Sequence, residues 1–236
     1  MSPPKRPKRA TLLQSIDACL ENGSRLLDET YDLEYQRLAA SRFYLTMVAQ
    51  EEFAKAFIVF LIMEEVIPIG AAVHRAMNDH SCKQLVGMIM DYAIMHWETT
   101  DEMDAAIEAD CSQGELLPND VGSAIEILRY EKVAKWEGRY WGWLEDPNYD
   151  RSALRIAEGK KDRRKQDALY VRLGRDAQIA STPTVITEQE RTKEYDRARR
   201  YMRFVMSLVE GESQNRRYDK ATAALKVLFA SREADV

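Results

Sequence analysis

The amino-acid sequence predicts an all-α fold. Glycine (10) and proline (7) are scarce among the 236 residues, so the chain has few places to turn. Apolar residues recur at spacings of three and four over long stretches, the period of an amphipathic helix. Between about Glu34 and Glu65 no glycine or proline interrupts the pattern. Apolar residues make up 45% and charged residues 31%, a balance too apolar for disorder and ordinary for a globular chain.

Residues 1–10 are basic and proline-rich and read as a disordered tail, ahead of a single helical domain over 11–236. From Thr11 to about Tyr31, Leu12, Leu13, Ile16, Cys19, Leu20, Leu26 and Leu27 mark one face of a first helix. The second runs from about Glu34 until Pro68 and Gly70 stop it. Its stretch from Phe43 to Met63 is apolar on nearly every side, as expected of the central helix of a bundle. Asn78 or Asp79 caps a third helix reaching about Trp97. Thr100 to Ala109 reads as a short helix, and Asn119 or Asp120 opens another to about Leu144, before Pro147. Asn148 to Asp167 is a strongly charged stretch, ahead of a β-leaning piece (Ala168 to Leu173) and a loop at Ser181-Thr182-Pro183. Thr187 and Glu190 form a capping box for a helix to about Val209; Gly211 ends it, and Ser213 opens a last one to about Ser231.

Several functional classes fall away. Cys19, Cys82 and Cys111 form no C-x-x-C pair, which points to reduced thiols and a cytoplasmic setting. The N-terminus lacks the apolar core of a secretory signal. The longest apolar run, Ala56 to Met63, is far short of the ~20 residues of a membrane span, so no membrane partner is expected. A net charge of −5 argues against a surface coated with phosphate-binding residues.

The most informative stretch is the second helix. Glu51, Glu52 and Lys55 are the only charges between Arg42 and Glu64, and they fall on one face, between Tyr44 and Val48 on one side and Val59 and Ile62 on the other. Either a Glu51–Lys55 pair stabilises a solvated stripe, or the carboxylates are half-buried and need partners from elsewhere. Arg163 and Arg164 are the expected partners. A di-iron bundle needs a histidine three residues after each of two glutamates, and His74, His80 and His96 do not supply it; Lys55 stands at that place after Glu52. Zinc spacing, nucleophile elbows and phosphate loops are also missing, so neither a metal nor a cofactor is expected.

Two groups of residues carry a family resemblance. Asn22 with Leu26-Leu27, then Ala39-Ala40 and Ala49-Gln50-Glu51-Glu52-Phe53-Ala54-Lys55, match an Asn-bearing helix followed by A-x-E-E-x-G-K, with Ala54 in place of the glycine and Gly23 where alanine is usual. Lys165 through Val171 (KQDALYV), followed by Pro183, match a basic residue, L-Y-V and a proline. In this order the chain resembles the AbiV-type abortive-infection family of the HEPN superfamily, from about Leu12 to Val209. The resemblance implies a HEPN-like helical bundle, here with an inserted helical segment over about residues 98–160, that dimerises. It implies a role in antiviral defence, arresting growth or translation in the infected cell. A binding or toxin module acting on a phage or host protein would do this; so would a metal-independent ribonuclease with an R-x4–6-H motif. We place the module first and the ribonuclease second.

Arg75 and His80 spell R-x4-H. Histidine would move the proton of a 2′-hydroxyl or a leaving oxygen, and arginine would stabilise the extra charge on phosphorus. The motif is short, and a surface histidine beside a helix cap would look the same. Arg163 and Arg164 with Tyr170 form a similar arrangement in which a phenol, a poor base at neutral pH, replaces the imidazole. Trp136, Tyr140, Trp141, Trp143 and Tyr149 interleave with Lys132, Lys135 and Arg139, and a further basic cluster spans Arg197, Arg199, Arg200, Arg203, Arg216 and Arg217. Helix faces packed inward or solvated account for both; RNA contact is the alternative.

Overall fold

A computed structural model describes residues 7–33, 39–97, 118–133 and 148–210. Among these, eight α-helices carry the architecture. They are α1 (Arg9–Asp32), α2 (Ala39–Met63), α3 (Ala71–Asn78), α4 (His80–Trp97), α5 (Asn119–Glu126), α6 (Arg151–Ala157), α7 (Lys160–Asp167) and α8 (Glu188–Glu210). A two-stranded antiparallel hairpin, β1 (Arg172–Leu173) and β2 (Ile179–Ser181), and one 3-10 turn (Pro183–Val185) join α7 to α8. No described helix is long and apolar enough to cross a membrane.

The sequence-predicted central helix is α2. It is rich in strong helix formers, and α1, α4 and α8 all pack on it. From Phe53 to Met63 every residue but Lys55 is buried, with Phe53, Ala56, Phe57 and Phe60 fully so. Phe57 also meets Phe204 of α8 with ring centroids 5.5 Å apart. The helix stops before Pro68: Glu65 turns left-handed (φ 61°), and Val66 N–H reaches back to the Leu61 carbonyl at 2.8 Å. This is a glycine-type helix end made with a glutamate, which carries the usual left-handed cost.

Gly23 explains how α1 lies so close to α2. A Cβ there would sit 2.3 Å from Phe53 Cε1, inside any allowed contact. The departure from alanine at this position is therefore the space that the Phe53 ring fills. Gly87 on α4 does the same for α8, since a Cβ there would stand 2.9 Å from the Tyr201 hydroxyl.

Two caps appear as expected. Asp79 Oδ1 accepts the Cys82 N–H at 2.9 Å, which makes His80 the first residue of α4. Thr187 Oγ1 accepts the Glu190 N–H at 3.2 Å, but Glu190 turns to Arg164, so only half of the capping box forms.

Other elements differ from expectation. α3 occupies residues expected to connect two helices. Asn148 to Asp167 holds two helices, α6 and α7, where only a charged stretch was read; Asp150 caps α6 through Ser152 N–H at 2.6 Å. α5 opens at Asn119 as expected, without a side-chain cap, and departs from expectation in continuing as a π-helical run, Ile127–Val133. The expected tail before residue 7, the helix from Thr100, the aromatic residues Trp136 to Trp143 and the last helix from Ser213 lie outside the described residues.

Gly23→Ala forces the Phe53 ring out of its site. It is expected to cost about 1–3 kcal/mol in urea unfolding, with part of the loss recovered in the double variant with Phe53→Leu.

Candidate functional site

The polar residues of α2 and α4 face each other. His80, Lys83, Gln84, Gly87 and Asp91 recur at three, four, seven and eleven residues, one stripe on an otherwise apolar α4. Opposite it stands Glu51, with its side chain 3% exposed. Four groups converge on this carboxylate. Lys165 Nζ from α7 stands 2.7 Å from Oε1, Lys83 Nζ 3.1 Å from Oε2, His80 Nδ1 2.5 Å from Oε2, and Gln84 Nε2 3.2 Å from Oε1.

Burial alone would raise the Glu51 carboxyl, but Lys83, Lys165 and His80 outweigh it and hold the group below the usual carboxylate range. Lys165 is also buried, which disfavours its charge. Its hydrogen bonds to Asp162 (2.8 Å) and Glu51 overcome this and lift it above the ordinary lysine value. Glu51 and Lys165 thus hold one another in their charged forms.

His80 is the half-open member, with its side chain 52% exposed. Its internal contacts, to Glu51 and to Lys165 Nζ at 3.2 Å, both go through Nδ1. With Glu51 ionised and at 2.5 Å, the proton lies on Nδ1 and is donated to the carboxylate. Nε2 has no hydrogen-bond partner among the described residues. A buried carboxylate that fixes one imidazole nitrogen and leaves the other free is the arrangement of an oriented general base.

The polar seam continues away from Glu51. Gln50 Nε2 donates to the Glu194 carbonyl (2.9 Å) and carboxylate (2.8 Å) on α8. Arg197 spans to Asp91 and donates to the Tyr201 hydroxyl at 3.0 Å, and Tyr201 donates in turn to the Gly87 carbonyl at 2.5 Å. Burial and the nearby Asp91 raise the Tyr201 phenol well above its ordinary value, against the pull of Arg197, so it stays a donor.

Between these networks lies a cavity of about 10 Å³, lined by Glu51, Lys83, Gln84, Lys161 and Tyr201 among others. That is room for one water molecule. Gln84 Oε1 is buried without a hydrogen-bond partner among the described residues, and such a water would satisfy it. Lys161 shares the cavity. Burial, and then Arg197 beside it, push Lys161 down to about 8, against the opposing pull of Glu194, Asp91 and Glu51.

The residues singled out in the sequence divide. Glu51 and His80 come together. Glu52 pairs with Lys55 at 2.6 Å, so the helical ion pair is Glu52–Lys55 and the expected Glu51–Lys55 pair does not form. Arg163 and Arg164 do not reach Glu51 or Glu52: Arg163 is exposed, and Arg164 forks onto Glu190 (2.8 and 2.6 Å). The partner is the next residue, Lys165. Each step along a helix turns about 100°, so Lys165 reaches Glu51 while Arg164, one step back, turns to Glu190. Arg75 is exposed in the last turn of α3, across the Asp79 break from His80. Tyr170 is 64% exposed beyond the end of α7, away from the Glu51 cluster. Of the second basic cluster, Arg197 is built into the seam while Arg199, Arg200 and Arg203 are exposed.

Lys83 and Gln84 escaped the sequence reading, although the signal that marked Glu51 was there: polar side chains amid the apolar residues of α4.

Removing the Glu51 carboxylate leaves Lys83 a buried cation without its carboxylate and Lys165 with Asp162 alone. Glu51→Ala is expected to cost about 3–5 kcal/mol in denaturant unfolding, against at most about 1 kcal/mol for Glu52→Ala. The Glu51 contribution is complete above its ordinary value of 4.5 and is lost as pH falls through the lowered folded value. Lys161 acts in the opposite sense. The folded chain releases this proton near 8 and the unfolded chain holds it to 10.5, so stability rises with pH across that window. Lys161→Met is expected to stabilise the protein at pH 7 and to flatten that rise in thermal melts.

No curated protein and no solved structure matches the chain. The model of the AbiV family, HEPN proteins of abortive infection, matches residues 11–203, from the start of α1 into the second half of α8 and across Glu51, His80, Lys83 and Lys165. With most of its length inside that match, and with the helical bundle that the resemblance implied, the chain belongs to the AbiV family, whose HEPN-type role is abortive-infection defence against phage.

Proposed function

We propose that the protein acts in abortive infection as a metal-independent endoribonuclease centred on His80, the second of the two modes considered from sequence. The observation that carries this reading is the Glu51–His80 pair, with Nδ1 engaged by a buried carboxylate on a ring that is 52% exposed. RNA needs no metal to be cut, because its own 2′-hydroxyl is the nucleophile. His80 Nε2 takes that proton, the 2′-oxygen attacks the adjacent phosphorus, and the bond to the 5′-oxygen breaks as that oxygen takes a proton from water, leaving a 2′,3′-cyclic phosphate and a 5′-hydroxyl. Glu51 holds the ring and stabilises the imidazolium. Arg75, exposed on the neighbouring helix, is the side chain to receive the charge gathering on the phosphate.

A second observation supports the binding-module mode. Tyr170 (64% exposed), Val171 (57%), Leu173 (58%) and Ile179 (69%) put four large apolar side chains on the hairpin and its approach. Single exposed apolar residues are ordinary, but a group of this kind is a candidate protein contact.

The two modes separate in one set of variants. Purified protein is expected to cleave RNA in EDTA, with His80→Ala reducing the rate at least 100-fold and abolishing growth arrest, while Tyr170→Ser with Ile179→Ser leaves cleavage intact. Growth arrest that survives His80→Ala but is lost in the hairpin variant overturns the ribonuclease reading in favour of the module.

A further inference from the structure

Glu51 of α2, His80 of α4 and Asp162 of α7 present one ligand atom each within 4.8 Å of one another, a set that would hold a divalent metal ion. In this protein a side chain stands among them. Lys165 Nζ lies 2.7 Å from Glu51 Oε1, 2.8 Å from Asp162 Oδ1 and 3.2 Å from His80 Nδ1, on a side chain 5% exposed. We propose that the Lys165 ammonium is the resident cation of this trio, standing where a divalent metal would stand, so that the centre is built to exclude a metal ion.

Charge and geometry argue together. The Lys165 ammonium donates to Glu51 Oε1 and holds Asp162 Oδ1 in an ion pair, supplying positive charge to both carboxylates as a metal ion would at shorter range. Lys165 and Lys83 balance Glu51 and Asp162 one for one, so an entering dication would meet a neutral cluster with an ammonium at its centre. Ligation through His80 Nδ1 would also require that nitrogen to lose the proton it donates to Glu51. Burial leaves Lys165 no room to swing aside. The inference concerns the composition of the centre and holds whether or not RNA is the substrate.

Cobalt(II) is the probe, because its visible absorption reports ligation directly. The wild-type chain at pH 7.5 is expected to take up no cobalt and to show no thermal shift. Lys165→Ala vacates the position and leaves a net negative trio. It is expected to bind one cobalt per chain at least 100-fold more tightly than wild type, with visible bands and a raised melting temperature, and to lose both when His80→Ala is added. Should Lys165→Ala not fold alone, Lys165→Asn, which keeps donors for Glu51 and Asp162, carries the same comparison. Stoichiometric uptake by the wild type that is lost in His80→Ala overturns the proposal. So does a folded Lys165 variant that binds cobalt no better than wild type.

Discussion

A carboxylate set in the middle of the most apolar helix of a chain obliges the rest of that chain to supply cations. Glu51 has this effect here. Left alone at 3% exposure it would be protonated or would unfold its surroundings. Ionised, it draws Lys83 and His80 from α4 and Lys165 from α7 to within hydrogen-bonding distance. The two helices that carry these partners are thereby fixed in rotation and height against α2. A buried ion cluster of this kind contributes little net stability compared with an apolar replacement. Its effect is on which arrangement forms.

Close approach is the second constraint, and two glycines set it. Gly23 lets α1 lie against the Phe53 ring, and Gly87 lets Tyr201 of α8 reach the α4 backbone. On α2, Phe53 is buried against α1, and one turn earlier Gln50 ties the helix to Glu194 of α8. Dry packing and polar pairing thus sit side by side on one helix, and the polar cluster reaches the surface at His80.

How much of this was legible in the sequence follows from where the signals were strong. α1, α2, α4 and α8 announce themselves through apolar period, and the caps Asp79 and Thr187 mark two of their starts. α7 had no such signal, because Lys160–Asp167 contains no apolar residue; its buried face is Lys165 and Asp167, invisible to any hydropathy pattern. The same absence hid the partner of Glu51. Among three consecutive basic residues, composition does not say which one turns inward, and a single 100° step separates Lys165 from Arg164. The polar stripe on α4 was readable by the reasoning applied to α2. What the sequence does not contain is that the two stripes face each other.

The spacing of the Glu51 cluster along the chain has a consequence for how the protein is made. Glu51 and Lys165 are 114 residues apart, and His80 and Lys165 are 85 apart. During synthesis the central helix leaves the ribosome long before its main counter-ion does, and domains fold as their chains emerge. Until then the Glu51 carboxylate has Lys83 and His80 of α4 within reach but not Lys165. Contacts of such long range are the last to form. The centre is therefore completed late, once α7 has followed α2 and α4 out of the ribosome.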